Sequence, residues 1–204
     1  MAYLCEVGSI GGFVQQVAVS YLTHGYWFYV AGVLPERKDP RLVDQKFVDR
    51  YELDCSKWVR ARRKRAGLAN VAYLRHERFF LLMATPGAHR IFEDEAGGLR
   101  DFRREPLKFA SYAISYRGAH AHVRIAEPTF RDLKAYFEDV ALRRPAETLA
   151  RTLGALPFEP YAPVRSQLCQ LLRTVNRKRA VAGLEVLPSS VLRLRRRIFR
   201  PFET

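Results

Sequence analysis

Two apolar runs that follow each other almost directly place the strongest constraint on the fold of this chain. Residues 70–76 read NVAYLRH and residues 78–84 read RFFLLMA, and both have the composition of strands. Because Glu77 alone separates them, we expect an antiparallel hairpin centred on residues 76–78. Neither Gly nor Asn stands at the turn, so one long bent strand is the alternative.

Strand-like and helical patterns alternate in the rest of the first 126 residues. Pro35 ends an apolar, aromatic run, and Asp39-Pro40 has the residue types that begin a helix, an N-cap followed by proline. The expected elements are a strand over 26–34, a helix from Asp39, a helix from Ser56 to Gly67, a short helix over 88–95, and a second hairpin of strands over 108–116 and 120–126 that turns at Gly118.

The residues after Pro128 have helical patterns. Thr129 and Asp132 resemble a capping box. One apolar stripe at helical spacing follows, formed by Phe130, Leu133, Phe137 and Val140. Further helices are expected over 145–153 and 163–181, so the last quarter of the chain is expected to be helical.

This order of elements predicts an α+β protein with a ferredoxin-like antiparallel sheet packed with helices, plus a helical C-terminal segment. The stretch PFEPYAP at residues 157–163 is the best candidate for a boundary. We therefore expect an α+β core over residues 1–156 and a basic helical segment over residues 157–204.

The charge balance indicates the class of partner. The chain has 35 Lys and Arg residues against 21 Asp and Glu, a formal net charge of +14. With 48% hydrophobic residues it can bury a core, so the charge belongs to a folded surface. A globular domain this basic usually meets a polyanion, most commonly nucleic acid, so we expect DNA or RNA as the partner.

The cysteines and the N-terminus indicate the compartment. Cys5, Cys55 and Cys169 are odd in number and follow no disulfide or zinc spacing, which favours a reducing, cytoplasmic location. The apolar N-terminus lacks a basic leading region and contains Glu6, so we expect no signal peptide. No run approaches the roughly 18 apolar residues of a membrane helix, so no membrane partner is expected.

Three groups of basic residues are the candidate contacts to phosphates. Cluster 1 surrounds Trp58 and comprises Lys57, Arg60, Arg62, Arg63, Lys64 and Arg65. Cluster 2 comprises Arg173, Arg177, Lys178 and Arg179, all expected to face outward, and cluster 3 comprises Arg193, Arg195, Arg196 and Arg197. Several cations on one element follow a phosphate backbone without reading bases, so the predicted binding tolerates sequence. Trp58, Phe199 and Phe202 are expected to stack on unpaired bases.

The stretch GAHAHVRI places His120 and His122 on one face of an expected strand, where two imidazoles can bind one metal ion. A His-hydrophobic-His strand followed by a helix with a tyrosine resembles the HUH endonucleases, which are rolling-circle replication initiators and single-tyrosine transposases. The resemblance implies that His120 and His122 hold Mg²⁺ or Mn²⁺ at the scissile phosphate and that Tyr136 is the nucleophile. Glu127 and Glu77 are the candidates for a third ligand.

A second stretch, LRHERFFLLMATPG at residues 74–87, resembles the place where single-tyrosine transposases carry this motif. Here the chain reads His76-Glu77-Arg78 instead of His-hydrophobic-His, so the resemblance can hold at one of the two places only. Tyr136 also follows His122 more closely than the family usually allows.

A different resemblance concerns RNA. FYVAGVLP at residues 28–35 and ERFFLLMA at residues 77–84 are similar to the two ribonucleoprotein strands of an RNA-recognition motif. The resemblance implies that Tyr29 and either Phe79 or Phe80 stack on bases.

Binding without catalysis is the reading that the sequence favours. We expect a basic protein that contacts phosphate backbones with little sequence readout, needs no cofactor to do so, and is an accessory of a mobile element or a replication system. An HUH-type nuclease or transposase that uses Mg²⁺ or Mn²⁺ is the alternative. A third hypothesis is a subunit with a protein partner, whose basic face meets RNA in a larger ribonucleoprotein or replication assembly.

Overall fold

The computed structural model describes residues 3–202 and shows an α+β protein, as the sequence predicts. These residues divide into two compact units. Unit 1 comprises residues 3–107, 114–121 and 199–202, and unit 2 comprises residues 108–113 and 122–198. The division expected between residues 156 and 157 stays a prediction.

Unit 1 contains a four-stranded antiparallel sheet built around the expected hairpin. Its strands are β1 (Phe28–Val33), β2 (Val71–His76), β3 (Phe79–Ala84) and β4 (Arg100–Asp101), in the order β2-β3-β1-β4. The β2–β3 pair begins at Val71 opposite Ala84 and turns at Glu77, which adopts a left-handed φ of 52°. The hairpin is therefore confirmed, and the alternative of one long bent strand is wrong.

The predicted N-caps begin two helices that follow β1. The helices of this part are α2 (Pro40–Tyr51), α3 (Lys57–Arg65) and the short α4 (Ile91–Asp94). The side chains of Asp39 and Ser56 each accept a hydrogen bond from a backbone N–H in the first turn, at 2.9 and 3.3 Å. Gly67, with a φ of 72°, follows the end of α3.

A helical segment that we did not predict from the sequence precedes β1. It begins with α1 (Ile10–Gln15) and continues through a π-helical stretch and a short 3₁₀ turn to His24. Phe13 of α1 is fully buried, and its ring stands edge-on to Phe79 of β3 with centroids 5.8 Å apart.

Both faces of the unit 1 sheet are buried. On one face, Tyr73 and Leu82 pack in a cluster with Phe47 and Tyr51 of α2. Alternate strand residues point to the other face, where α1 lies, and Leu74, Leu81 and Met83 of this face are fully buried. The sheet is therefore the centre of the hydrophobic core and offers no open face to a ligand.

The second expected hairpin forms in a sheet of its own. This three-stranded sheet has the order β5-β6-β7, with strands β5 (Leu107–Phe109), β6 (Tyr112–Arg117) and β7 (His120–Ile125). Gly118 turns the chain as predicted. The single strand expected over 108–116 is wrong, because Ala110 and Ser111 both adopt a positive φ and reverse the chain between β5 and β6.

Three helices form most of unit 2. They are α5 (Glu127–Val140), α6 (Ala146–Gly154) and α7 (Ala162–Val181). The predicted apolar stripe of α5 is confirmed, because Phe130, Phe137 and Val140 are buried and Leu133 is half-buried. The expected cap at Thr129 is wrong: α5 begins earlier, since Pro128 fits the first turn, where its missing N–H would have no helical partner.

A buried glutamine joins β7 to α7. Gln167 Oε1 accepts from the backbone N–H of Ile125 at 2.8 Å, and Gln167 Nε2 donates to the carbonyl of Ile125 at 3.1 Å. Because β7 is an edge strand, this side chain supplies the partner that a further strand would otherwise provide.

The helical C-terminal segment ends earlier than expected. After α7, a 3₁₀ turn at Ser189–Val191 is the only helical element in residues 182–202. Gly183, with a φ of 67°, follows the end of α7, and Pro188 interrupts the backbone again. The expectation that cluster 3 lies on a helix is therefore wrong.

Candidate nucleic-acid interface

Cluster 1 lies on a helix with no buried residue. Helix α3, with the sequence KWVRARRKR, is held at two points in its first half: Ser56 caps the first turn, and the carbonyl of Arg60 accepts a hydrogen bond from Asn70 Nδ2 at 3.1 Å. Its last turn carries four consecutive cations, from Arg62 to Arg65, which the negative end of the helix dipole favours. The helix therefore needs little burial and can present its side chains to solvent.

Trp58 is the most unusual residue of this helix. Its side chain is 85% exposed, although tryptophan is among the residues that gain most from burial. Lys57, Arg62, Lys64 and Arg65 are exposed around it. Across residues 3–202, none of these four cations forms an ion pair with a carboxylate; within cluster 1, Arg63 does so, with Glu52. The surface thus combines an aromatic ring with uncompensated positive charge.

Arg60 differs from the rest of cluster 1. Its side chain is half-buried, and its Nε atom is buried without a hydrogen-bond partner in the described chain. Burial alone disfavours its charge, but a hydrogen bond with the thiol of Cys55 and the nearby hydroxyl of Tyr26 raise the pKa of Arg60 above its ordinary value. Arg60 is therefore a fixed cation that points inward.

Cluster 2 is exposed except for one member. Arg173, Arg177 and Lys178 are exposed on α7, but Arg179 is 4% exposed, so the expectation that it faces outward is wrong. Its guanidinium Nη1 donates to the carbonyls of Ala141 and Arg144 at 2.9 and 3.0 Å. The side chain therefore supplies donors to backbone carbonyls in a turn and has no role at the surface.

The pattern of α7 explains the burial of Arg179. Val175 and Leu172, four and seven residues earlier, are both buried, so Arg179 continues the buried stripe of the helix. The spacing of Arg179 from these apolar residues could have predicted its burial from the sequence, but we assigned it to the surface with the neighbouring cations.

Cluster 3 lies on an extended segment, and part of its charge is compensated. Arg193 Nη2 donates to Glu159 Oε1 at 2.9 Å, and the other carboxylate oxygen accepts from the backbone N–H of Arg197 at 2.9 Å. Arg196 lies over the ring of Tyr161, 4.9 Å from its centroid. The side chains of Arg195, Arg196 and Arg197 remain exposed.

Phe199 is not available to stack on a base. Its ring packs so closely against Gly11 that a Cβ atom at that position would lie 2.3 Å from the ring. The side-chain amide of Gln15 also holds the backbone of Phe199. Gln15 Nε2 donates to the Phe199 carbonyl at 2.8 Å, and Gln15 Oε1 accepts from the Phe199 N–H at 3.1 Å. Trp58 is therefore the exposed ring among the predicted stacking residues; Phe202 is half-buried.

His120 and His122 lie on β7 as predicted. The buried side chains of this strand are Val123 and Ile125, so the histidines belong to its outward-facing positions. His120 is exposed, and His122 lines a shallow hollow of about 440 Å³ with Arg124 and Gln167.

The residues around the histidines do not fit a metal site with three protein ligands. Within residues 3–202, no three His, Cys, Asp or Glu side chains come together in a way that could hold a metal ion. Glu127, a candidate third ligand, forms an ion pair with Arg124. Tyr136 is 47% exposed on α5, and its ring stands edge-on to Phe137.

The second stretch that resembles the HUH motif is part of the core structure of unit 1. His76 Nδ1 donates to the carbonyl of Val7 at 2.7 Å. The guanidinium of Arg78 donates to the carbonyls of Pro35 and Glu36, both at 2.7 Å, while Glu77 forms the hairpin turn. These three residues shape the hairpin.

The aromatic residues that resemble an RNA-recognition motif are used inside unit 1. Tyr29 is buried against Phe102, with centroids 4.2 Å apart, and its hydroxyl donates to the carbonyl of Glu105. Phe80 packs between Gly32 and Phe47 of α2 on one face of the sheet. Phe79, on the other face, meets Phe13 of α1. The expectation that the sheet stacks bases is therefore wrong, because helices occupy both of its faces.

Comparison with known proteins does not place the chain in a family: no family model matches it, and no curated protein is significantly similar to it. Among the helices of residues 3–202, none is both long enough and apolar enough to cross a membrane.

Proposed function

We propose that this protein binds nucleic acid through phosphate contacts with little sequence readout, and that α3 is its principal contact. The observation that carries the proposal is Trp58, 85% exposed beside Lys57, Arg62, Lys64 and Arg65, which form no ion pair with a carboxylate within residues 3–202. A basic surface alone attracts any polyanion, whereas a basic surface with an exposed aromatic ring is suited to unpaired bases.

Three further observations are in line with the proposal. The formal net charge of +14 favours association with a polyanion at a distance, before any specific contact forms. Cluster 2 and cluster 3 add exposed cations to unit 2, most of them without a carboxylate partner in the described chain. Cys5, Cys55 and Cys169 all carry free thiols, which fits a reducing cytoplasm.

The fold is compatible with this proposal and suggests a finer class. The order β2-β3-β1-β4, with helices after β1 and after β3, supports the finer proposal of a ferredoxin-like sheet. In this protein the sheet acts as a scaffold. The binding surface lies on α3, which stands between β1 and β2 in the sequence. An accessory role in a mobile element or replication system would use such sequence-tolerant binding.

Trp58 provides a direct test, because the chain has only one other tryptophan, Trp27. In a Trp27→Phe variant the fluorescence comes from Trp58, and single-stranded DNA or RNA should quench it as bases stack on the ring. Trp58→Leu should weaken binding by about 1–3 kcal/mol, the usual contribution of one base–aromatic stack. Binding that leaves the Trp58 emission unchanged would remove α3 from the interface, and absence of binding at about 50 mM salt would reject the function itself.

A second candidate function is the HUH-type cleavage of single-stranded DNA with Mg²⁺ or Mn²⁺. The observation in its favour is that His120 and His122 occupy outward-facing positions of β7 and that Tyr136 is exposed on the helix that follows. The lack of a third converging ligand among the described residues makes this the weaker candidate.

A further inference from the structure

A cleft in unit 1 lies between the N-terminal helical segment and α3. Its volume is about 480 Å³, within the range of pockets that take small ligands. Ser20, Tyr21 and His24 form one wall, α3 forms the other, and two buried residues, Asn70 and Thr85, lie at its base. Trp58 and Arg62 do not line it, whereas Lys57 and Lys64 belong both to the cleft and to the exposed surface of α3.

One wall of the cleft is cationic. Lys57, Arg60 and Lys64 line it from positions three and four residues apart, which lie on one face of a helix. In the described chain no carboxylate forms an ion pair with any of the three. The Nε atom of Arg60 is buried and has no hydrogen-bond acceptor among residues 3–202. A half-buried cation without an anionic partner is a costly arrangement that a bound anion would relieve.

Asn70 provides an independent observation. It is 6% exposed, and its Oδ1 atom is buried without a hydrogen-bond donor in the described chain. The orientation of the amide is fixed, because Nδ2 donates to the carbonyl of Arg60 at 3.1 Å and a flipped amide would place two oxygens against each other. The free acceptor therefore calls for a ligand that has an N–H or O–H group in addition to its negative charge.

The opposite wall adds aromatic surface. The rings of Tyr21 and Tyr26 stand edge-on to each other with centroids 5.2 Å apart, and both residues line the cleft. Burial raises the pKa of Tyr26 to about 12, so its hydroxyl stays protonated at neutral pH and can donate a hydrogen bond.

We propose that this cleft binds one nucleotide, with the phosphate against Lys57, Arg60 and Lys64 and an N–H or O–H of the base or sugar donating to Asn70 Oδ1. The inference rests on the proposed function and deepens it, because it names the site at which a single nucleotide is held. A nucleotide at the end of a strand and a free nucleoside monophosphate have this same chemistry, and binding experiments can separate them.

The test measures binding of the full-length chain to the four nucleoside monophosphates, the matching nucleosides and inorganic phosphate, by calorimetry at low salt. At least one monophosphate should bind about tenfold more tightly than inorganic phosphate, because phosphate lacks the buried hydrogen bond to Asn70. The same monophosphate should bind about tenfold more tightly than its own nucleoside, because the nucleoside lacks the charge-assisted hydrogen bonds of the phosphate. The side-chain amide resonances of Asn70 should shift on binding. Monophosphates that bind no more tightly than phosphate, or an unshifted Asn70 amide, would overturn the proposal.

Paired variants on α3 separate this proposal from the proposed function. Lys57→Gln with Lys64→Gln removes two exposed cations of the cleft and should weaken monophosphate binding by about tenfold or more. Arg62→Gln with Arg65→Gln removes the same charge outside the cleft and should leave monophosphate binding within about twofold while weakening oligonucleotide binding. Equal effects of the two pairs on monophosphate binding would indicate general charge attraction and reject the cleft. If oligonucleotides do not bind but a monophosphate does, the proposed function fails and the cleft stands as a site for free nucleotides.

Discussion

Arg75 and Asp44 form a buried ion pair in unit 1, in which Arg75 Nε and Nη2 both lie 2.9 Å from carboxylate oxygens of Asp44. The side chain of Arg75 is 3% exposed, and the hydroxyl of Tyr73 donates to the same carboxylate at 2.6 Å. The pair joins β2 to α2, so it fixes the helix that covers one face of the sheet.

Removing one partner of this pair should be severely destabilising. Asp44→Ala leaves the guanidinium of Arg75 buried, with the exposed Glu6 as its one remaining carboxylate partner among the described residues, and we expect a loss of about 3–5 kcal/mol in the free energy of unfolding. Urea unfolding followed by circular dichroism measures the loss. Asp49→Ala, which removes an exposed carboxylate from the same helix, is the matched control and should cost much less. Similar losses for the two variants would contradict the assigned role of the pair.

The salt dependence of binding tests the electrostatic part of the proposed function. Arg62→Gln with Arg65→Gln should lower the slope of log affinity against log salt by roughly 0.7–0.9 for each phosphate contact removed, and should do so for every sequence tested. Arg37→Gln with Lys38→Gln removes the same charge from an exposed loop between β1 and α2 and should leave the slope nearly unchanged. If both pairs lower the slope alike, net charge and not α3 governs binding.

Stability should depend on pH through His89. Burial, followed by the nearby charge of Arg63, lowers the pKa of His89, and its Nδ1 accepts a hydrogen bond from the N–H of Ile91 at 3.1 Å, which requires the neutral ring. Because the folded state binds this proton less readily than the unfolded chain, stability is complete above the ordinary histidine pKa of 6.5 and falls as pH drops below it.

Urea unfolding at pH 7.5 and at pH 5, with the histidine titrated by NMR, measures this effect. His89→Asn keeps an acceptor for the N–H of Ile91 but does not titrate, so this variant should lose less stability between the two pH values. An identical loss in both proteins would assign the pH dependence to other groups.

The packing of α5 is tested by one aromatic residue and its neighbour. Phe137 is 1% exposed, so Phe137→Ala should cost about 3–5 kcal/mol through lost burial and the cavity it leaves. Tyr136→Phe removes only an exposed hydroxyl from the adjacent position and should change stability little. Comparable midpoints of thermal unfolding for Phe137→Ala and the unchanged protein would show that the stripe does not hold the helix.

Catalysis can be tested with the same tyrosine variant. Since we propose binding without cleavage, Mn²⁺ or Mg²⁺ should produce no nicking of single-stranded DNA and no covalent protein–DNA adduct on denaturing gels. His120→Ala and His122→Ala should likewise leave DNA binding nearly intact. A metal-dependent adduct that disappears in Tyr136→Phe would establish the HUH-type alternative.

The parts of the fold that short-range chemistry determines could be predicted from the sequence. The caps at Asp39 and Ser56 each act within one helical turn, and the stripe of α5 needs only its own periodicity. Helix α1 could not be predicted in this way, because Gly11 and Gly12 are poor helix formers. The structure explains Gly11, since the ring of Phe199 leaves no space for a Cβ atom.

The candidate sites could likewise be predicted from the sequence only where their residues are close together in the chain. The basic residues and Trp58 of α3 are adjacent in the sequence and were predicted together. The cleft required Tyr21, Arg60 and Asn70, which come from separate elements and have no spacing that relates them. Ala110 and Ser111 turn the chain although neither is a typical residue for a positive φ, so the break between β5 and β6 also had no local signal.

The paired hydrogen bonds between Gln15 and Phe199 can form only late in translation, after nearly all of unit 1 has been synthesised. Gln15 emerges from the ribosome early, but its partner is synthesised after every residue of unit 2, which interrupts unit 1 in the sequence. The sheet and the α2 face can assemble on the nascent chain, whereas the contact of Phe199 with Gly11 must wait until translation has passed residue 199. Until then, Gly11 and Gln15 of α1 lack their contacts with Phe199.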